Sequence, residues 1–169
     1  MYYFIVNPTS KTGLGEKYWK RVQKILDEKK IEYKVIFSKR VGHVEEIVRK
    51  LSMKSSKDKT HVVILGGDGT VNEAVQGIED FDKVIISYIP TGSSNDLARD
   101  MKISKNPEEA LESILKAEKE NLTAQKNQLY EDYSMLKARM RELETVQKNI
   151  DAMLHPHEQQ HDRKKEERT

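Results

Sequence analysis

The 169-residue chain contains no cysteine, which excludes a disulfide framework and any thiolate metal site and suits a reducing compartment. It has no apolar run near the roughly 18 to 20 residues that a membrane-spanning helix needs. Met1 leads straight into Tyr2-Tyr3-Phe4-Ile5-Val6, without the basic segment and cleavage site of a secretory leader. A soluble, cytoplasmic protein is expected. Charge of one sign is also lacking: the net charge is +2, with basic and acidic residues interspersed, so nothing argues for a nucleic-acid partner. Glycine is absent after Gly92, and every strand-like run of β-branched and aromatic residues ends by Ile89. The two parts of the chain therefore follow different rules.

In the first part, short apolar runs alternate with helical periodicity. Tyr2 to Val6, Tyr33 to Phe37, Val62 to Leu65 and Val84 to Ile89 read as strands. Between them, Val22, Ile25 and Leu26 mark a helix over Lys17 to Lys30, and Val44, Ile47, Val48 and Leu51 mark another. Val71, Ala74, Val75 and Ile78 supply a third apolar face. This alternation predicts an α/β fold in three layers, a parallel sheet covered on both faces with ligands at the carboxyl ends of its strands.

Each polar cluster falls at such an end. Asn7, Pro8, Thr9, Ser10 and Lys11 follow the first strand, and Ser38 follows the second. Gly66-Gly67-Asp68-Gly69-Thr70-Val71-Asn72-Glu73 follows the third, and Gly92-Ser93-Ser94-Asn95-Asp96 the fourth. Four loops can thus meet in one crevice. Gly66, Gly67 and Gly69 carry no side chain, so the backbone is free to take positive φ and to approach an anion at a helix start. A carboxylate at Asp68 would repel phosphate unless a cation or a donor stood between them. A purely structural account also fits: Thr70 and Glu73 spell a T-x-x-E capping box, Asn95 and Asp96 are preferred helix-start residues, and Lys11 suits a solvated loop. His43 and His61 have no partner at a catalytic spacing and are expected to be structural or surface residues.

Val6-Asn-Pro-Thr-Ser10, the glycine-rich Gly66 to Glu73 and Pro90-Thr-Gly-Ser-Ser-Asn-Asp-Leu-Ala-Arg99, in this order and spacing, resemble the nucleotide-binding lobe of the diacylglycerol kinase catalytic-domain family, specifically the bacterial soluble lipid kinases. The resemblance covers residues 1 to 115. Its central motif is shared with NAD kinases and phosphofructokinases, and Asn95-Asp96-Leu97-Ala98-Arg99 favours the lipid kinases. The resemblance implies ATP held by Asn7 to Lys11, Ser38, Gly67 to Glu73 and Ser93, with the phosphates against Gly66 to Thr70 and Asp68 ordering Mg²⁺ through water. No catalytic residue is assigned, because the family's second domain, a β-sandwich carrying the general base and the lipid cleft, has no counterpart in residues 116 to 169. Weak nucleotide binding with little or no kinase activity is expected of this chain alone; a vestigial lobe on an oligomerising scaffold, or an NAD kinase-like activity, is the alternative.

Residues 116 to 154 read as a long helix, whose start is set by Asn106-Pro107-Glu108-Glu109: an Asn cap, Pro at the first helical position and acids in the first turn. Leu115, Leu122, Leu129, Leu136, Leu143 and Ile150 recur every seven residues, with Lys119, Lys126, Tyr133, Met140, Gln147 and Leu154 as companions. This is a coiled-coil seam, and Asp132 with Lys137 and Arg139 with Glu144 fit interhelical pairs of a parallel homodimer through residues 115 to 154. A single solvated helix held by i,i+4 pairs is the other reading. The stretch also resembles, in its Glu, Lys and Leu composition, the C-terminal helical region of mobilisation relaxases. Residues 155 to 169 read as a disordered charged tail. Within it, His157-Glu-Gln-Gln-His161 spells the zinc-protease pattern, but it follows Pro156 without apolar neighbours, so no metal site is expected there.

Overall fold

The computed structural model describes residues 1–53 and 59–154, so the His157 to His161 pattern lies outside the described residues. The chain divides into two units, the first Met1–Ala117 and the second beginning at Glu118.

In the first unit, strands β1 (Tyr2–Val6), β2 (Tyr33–Phe37), β3 (Thr60–Gly66) and β4 (Val84–Pro90) form one sheet in the order β2-β1-β3-β4. All three pairings are parallel, with Tyr2 beside Tyr33 and His61 and Thr60 beside Val84. Between and after the strands run α1 (Ser10–Gly13), α2 (Gly15–Glu28), α3 (His43–Ser52), α4 (Asp68–Gln76), α5 (Asp96–Asp100) and α6 (Pro107–Leu154). The expected three-layer α/β architecture followed by a long helix is what the chain adopts. Between β1 and α2 the chain forms the short turn α1.

Strand alternation sorts the core into two layers. Tyr2, Phe4, Val6, Val63 and Leu65 pack with Trp19, Val22 and Leu26 of α2 and with Ala110 and Leu111 of α6. Tyr3, Ile5, Val62 and Ile64 face the other way, onto Val44, Ile47, Val48 and Leu51 of α3 and Val71 and Ala74 of α4. The first turns of α6 thus belong to the lobe. Leu111 is fully buried there, a burial worth about 1.5 to 3 kcal/mol, and Glu108 forms a two-pronged ion pair with Arg21 of α2. The Asn106 side chain caps α6 by accepting from the Glu108 N–H at 3.0 Å, as the sequence leads one to expect. Helices α3 and α4 pack closely because Gly77 carries no side chain: a Cβ there would lie 2.4 Å from the Glu45 carbonyl oxygen. Arg49 of α3 pairs with Glu45 on its own helix and with Glu79 in the stretch just after α4.

In the second unit, α6 continues to Leu154 and presents its apolar side chains to solvent. Leu129 is 69% exposed and Leu136 64%, and Leu122, Leu143 and Ile150 lie open on the same seven-residue repeat. No helix among the described residues is long and apolar enough to cross a membrane.

Candidate nucleotide site

In a parallel sheet ordered β2-β1-β3-β4, the chain leaves β1 toward one edge and later returns to build the other, so a crevice opens beyond the carboxyl ends of β1 and β3. The four polar loops meet at that edge through specific bonds. Asn7, just after β1, donates from its carboxamide to the Thr70 hydroxyl at 3.1 Å, while its Oδ1 accepts from the backbone and side chain of Thr9. The Ser10 and Thr91 hydroxyls lie 2.8 Å apart and link the first loop to the fourth. Asp96 donates its backbone N–H to Asp68 Oδ2 at 2.9 Å, and the Thr91 N–H reaches the Gly66 carbonyl at 2.7 Å. Ser38 joins through its N–H, which donates to the Val6 carbonyl at 2.8 Å.

The glycine-rich turn works differently from its sequence-based expectation. Gly66, Gly67 and Gly69 all avoid positive φ; Gly67 is extended, with φ −101°. What these positions require is space. A Cβ on Gly66 would fall 2.5 Å from the Thr70 side chain, and one on Gly92 would fall 2.6 Å from the Gly67 Cα, so the third and fourth loops touch backbone to backbone. Gly69 instead faces open space: a methyl group there would have nothing within 4 Å. A ligand can approach the start of α4 there.

The capping box is also absent. The N-cap of α4 is Gly67, which makes no side-chain cap, so Thr70 is three residues inside and its buried hydroxyl serves Asn7. That leaves Glu73 outside any reciprocal cap, with Oε2 buried and unpartnered. Asp68 has one oxygen on Asp96 and the other, Oδ1, buried without a partner. Asn95 is buried and bonded at both ends of its side chain: it sits at φ 51°, its Oδ1 accepts from Gly92 N–H and the Tyr88 hydroxyl, and its Nδ2 donates to the Gly92 carbonyl. Burial, and after it the charge of Asp68, raises the Tyr88 hydroxyl far above its ordinary pKa, so it remains a donor. The Asp96 carboxylate points to Arg99 at 3.0 Å, and Ser93 and Asn72 are exposed. Val71 is buried in the core behind the turn. Lys11 lies in α1 with φ 47°.

A cavity of about 220 Å³ opens beside this framework, lined by Asn7, Thr9, Ser38, Lys39, Arg40, Val41, Val44, Thr70 and Glu73. Lys39, Arg40, Val41 and Val44 are residues that motif reading missed. Their signal was the turn at Gly42, whose φ of 77° needs glycine and which swings the 38–41 loop over the crevice. His43 secures that loop by accepting the Lys39 N–H on Nδ1 at 3.0 Å, and Glu46 holds Arg40 at 2.6 Å, which pulls the Glu46 carboxyl below its usual pKa. His61 lies elsewhere, packed on Tyr2 and 2.8 Å from the Ser87 hydroxyl. Among the described residues no cluster of three or more His, Cys, Asp or Glu side chains could hold a metal. Two carboxylates at this edge, Asp68 and Glu73, each keep one oxygen without a protein partner, and carboxylate oxygen is the donor type that Mg²⁺ takes.

Known proteins are similar to this chain over the same region. The family described as diacylglycerol kinase catalytic domain matches residues 1–126. YtlR of Bacillus subtilis (strain 168), a protein named as a lipid kinase, is 35% identical over 104 residues, which are 62% of this chain and 34% of that protein. The ceramide kinase of Arabidopsis thaliana is 35% identical over 72 residues, 43% of this chain and 12% of its own. This chain therefore spans about a third or less of these relatives' length. A crystal structure of a diacylglycerol kinase from Bacillus anthracis str. Sterne superposes with TM-score 0.58 at 24% identity, over 69% of this chain and 42% of that one, and shares the fold.

Proposed function

The chain belongs to the diacylglycerol kinase catalytic-domain family, and from that premise we propose that its first unit is the ATP-binding lobe of a cytoplasmic lipid kinase, which moves the γ-phosphoryl of ATP to a lipid hydroxyl. The observation that carries this reading is the convergence of the four loops on one edge, with Asn7 bonded to Thr70, Ser10 to Thr91 and Asp96 to Asp68. The nucleoside end of ATP enters the cavity between Ser38, Val44 and Thr70, and the phosphates run to the open face of Gly69 at the start of α4, where backbone N–H groups and the helix dipole favour an anion. A bound Mg²⁺ would be held by Asp68 through water and would offset phosphate charge. In this division of labour Asn7, Thr9, Ser10, Asn95 and Thr91 shape the loops, while the turn and Ser93 meet the phosphates. Relatives named as lipid and ceramide kinases support a lipid alcohol as acceptor rather than NAD.

Phosphoryl transfer depends on positioning both reactants and on charge stabilisation. The stretch matched here is 34% of the length of YtlR, so we expect this 169-residue polypeptide, assayed as it stands, to bind ATP and to transfer little or no phosphoryl to diacylglycerol. Calorimetric titration with ATP and Mg²⁺ tests the reading. Saturable binding that weakens about tenfold or more in Asp68→Asn only when Mg²⁺ is present is the expected result; a flat titration of the unaltered chain would sink it.

A second reading concerns the second unit and rests on the open Leu122, Leu129, Leu136, Leu143 and Ile150 stripe. We propose that this stripe pairs with a second copy in a parallel coiled coil, Asp132 facing Lys137 and Arg139 facing Glu144 across the seam. Should the lobe prove unable to hold nucleotide, this pairing would be the chain's remaining biochemical role, that of a scaffold.

A further inference from the structure

Three of the four loops at the crevice are tied to one another, through Asn7 and Thr70, Ser10 and Thr91, and Asp68 and Asp96. The loop after β2 is anchored otherwise. Its start is fixed where the Ser38 N–H donates to the Val6 carbonyl at 2.8 Å, and beyond that its tethers run to the start of α3. The Lys39 N–H donates to His43 Nδ1 at 3.0 Å, the His43 N–H returns to the Arg40 carbonyl at 3.2 Å, and Glu46 holds the Arg40 guanidinium at 2.6 Å. Ser38, Lys39, Arg40 and Val41 together form one wall of the cavity. The imidazole is thus the side chain that turns a main-chain donor of this wall back onto the helix.

That bond exists in one charge state only. Nδ1 accepts with a lone pair, so the ring is neutral and carries its proton on Nε2; imidazolium has N–H at both positions, and its Nδ1–H would face the Lys39 N–H. Imidazole is also the side chain that ordinarily changes charge between about pH 5 and 8. The charges around it oppose one another. His43 is the first residue of α3, at the positive end of the helix, with Lys39 and Arg40 beside it in the loop, and these disfavour imidazolium. Glu46, one turn on, favours it, with Lys50 beyond; the Arg40 guanidinium holds the Glu46 carboxyl below its usual range, so that group stays ionised throughout. Glu73 of α4 lines the same cavity. His61 belongs to the amino end of β3, away from the crevice.

We propose that His43 is a positioning residue for the nucleotide, and that its uptake of a proton frees the 38–41 wall and weakens ATP binding in mild acid. The inference rests on the nucleotide reading above and adds a regulation to it. His43 acts through the loop and is not itself in the cavity wall.

Calorimetric titration of the full chain with ATP and Mg²⁺ at about pH 8 and about pH 5.5 tests this in the wild type, His43→Asn and His43→Leu. Asparagine sets an oxygen near the place of Nδ1 and does not titrate, whereas leucine has no acceptor. ATP itself takes up protons in this range, but all three proteins share that contribution. Between the two pH values the wild-type affinity is expected to fall about three- to tenfold more than that of His43→Asn, the worth of one hydrogen bond. At the higher pH, His43→Leu binds weaker than the wild type by the same factor, and His43→Asn recovers most of that loss. If the variants do not fold, ¹⁵N NMR of the wild type decides: Nδ1 carries no proton at the higher pH, the Lys39 amide signal moves as the ring is protonated, and ATP added in acid returns the ring toward its neutral form. Equal pH dependence in wild type and His43→Asn, or a ring indifferent to ATP, overturns the role assigned to His43 while leaving ATP binding in place. Absence of saturable ATP binding by the wild type at both pH values overturns the nucleotide reading and this one with it.

Discussion

The Asn7 carboxamide donates to the Thr70 hydroxyl across 3.1 Å, joining residues 63 positions apart and tying the tip of β1 to the first turn of α4. Because the other end of the same side chain accepts twice from Thr9, Asn7 acts as a brace between two loops. Replacing it strands a buried hydroxyl. Asn7→Ala is expected to cost about 1 to 3 kcal/mol in urea unfolding and to weaken ATP binding through loosened loops. In a double-mutant cycle with Thr70→Val the two losses fall short of adding, with a coupling of about 0.5 to 3 kcal/mol. Strict additivity would mean that the bond contributes nothing.

Gly92 and Gly69 separate scaffold from ligand contact. A methyl group on Gly92 meets the Gly67 Cα at 2.6 Å and the Asn95 Oδ1 at 2.8 Å, and neither neighbour can yield without parting the two loops. Gly92→Ala should therefore lower stability by about 1 to 3 kcal/mol and reduce ATP affinity with it. At Gly69 the methyl group meets nothing within 4 Å beyond its chain neighbours and its own helix backbone, and no positive φ is disturbed. Gly69→Ala should melt as the wild type does, or slightly higher, because alanine is the better helix former. Its ATP affinity should nonetheless drop several-fold if phosphate lies against that face. Equal binding by Gly69→Ala and wild type would place the phosphates elsewhere.

The acid sensitivity of the lobe has a source in His61. Burial, and secondarily the positive N-terminus, depress its pKa below 6.5, so the folded state holds the ring neutral against Tyr2 and Ser87. A depressed folded value means that the unfolded chain binds the proton more tightly, so this group's contribution is complete above pH 6.5 and is lost as pH falls below it. Carboxylates titrate lower, so between about pH 7.5 and 5.5 the histidine dominates the slope. Unfolding free energy should fall over that interval in the wild type and stay flatter in His61→Gln, which keeps a polar partner for Ser87. Identical slopes would assign the sensitivity to other groups.

Local pattern carried most of the fold. Five-residue β-branched and aromatic runs at Tyr2 to Val6 and Tyr33 to Phe37 became strands with those bounds, and the Asn106-Pro107 cap set the start of α6 where capping chemistry puts it. Such signals are contained in neighbouring residues. The site was legible as loops and less so as roles. Whether Thr70 caps a helix or braces Asn7 depends on a residue 63 positions away, and whether Gly67 needs positive φ or room depends on how near Gly92 comes. Lys39, Arg40 and Val41 reach the cavity only because a left-handed Gly42 turns the loop back, which no periodicity announces.

The seam on α6 tests how far such local pattern reaches. Leu115 opens the seven-residue repeat against the lobe's core, whereas Leu122 through Ile150 continue it in solvent. A helix whose apolar stripe serves only the first turns would have no reason to keep leucine at every seventh position afterwards, and local i,i+4 bonds along its length, such as Gln128 to Asp132, are individually weak. Pairing with a second copy buries the stripe. The expectation is a dimer in sedimentation equilibrium at micromolar concentration, dissociated by Leu136→Lys, which places charge on the seam between the apolar companions Tyr133 and Met140. Charge reversal separates orientation from stickiness: Lys137→Glu should weaken the dimer several-fold by opposing Asp132, and Asp132→Lys in the same chain should restore it. A wild-type chain that sediments as a monomer would leave α6 a solitary solvated helix. A dimer indifferent to both charge changes would mean that the seam pairs in another register or antiparallel.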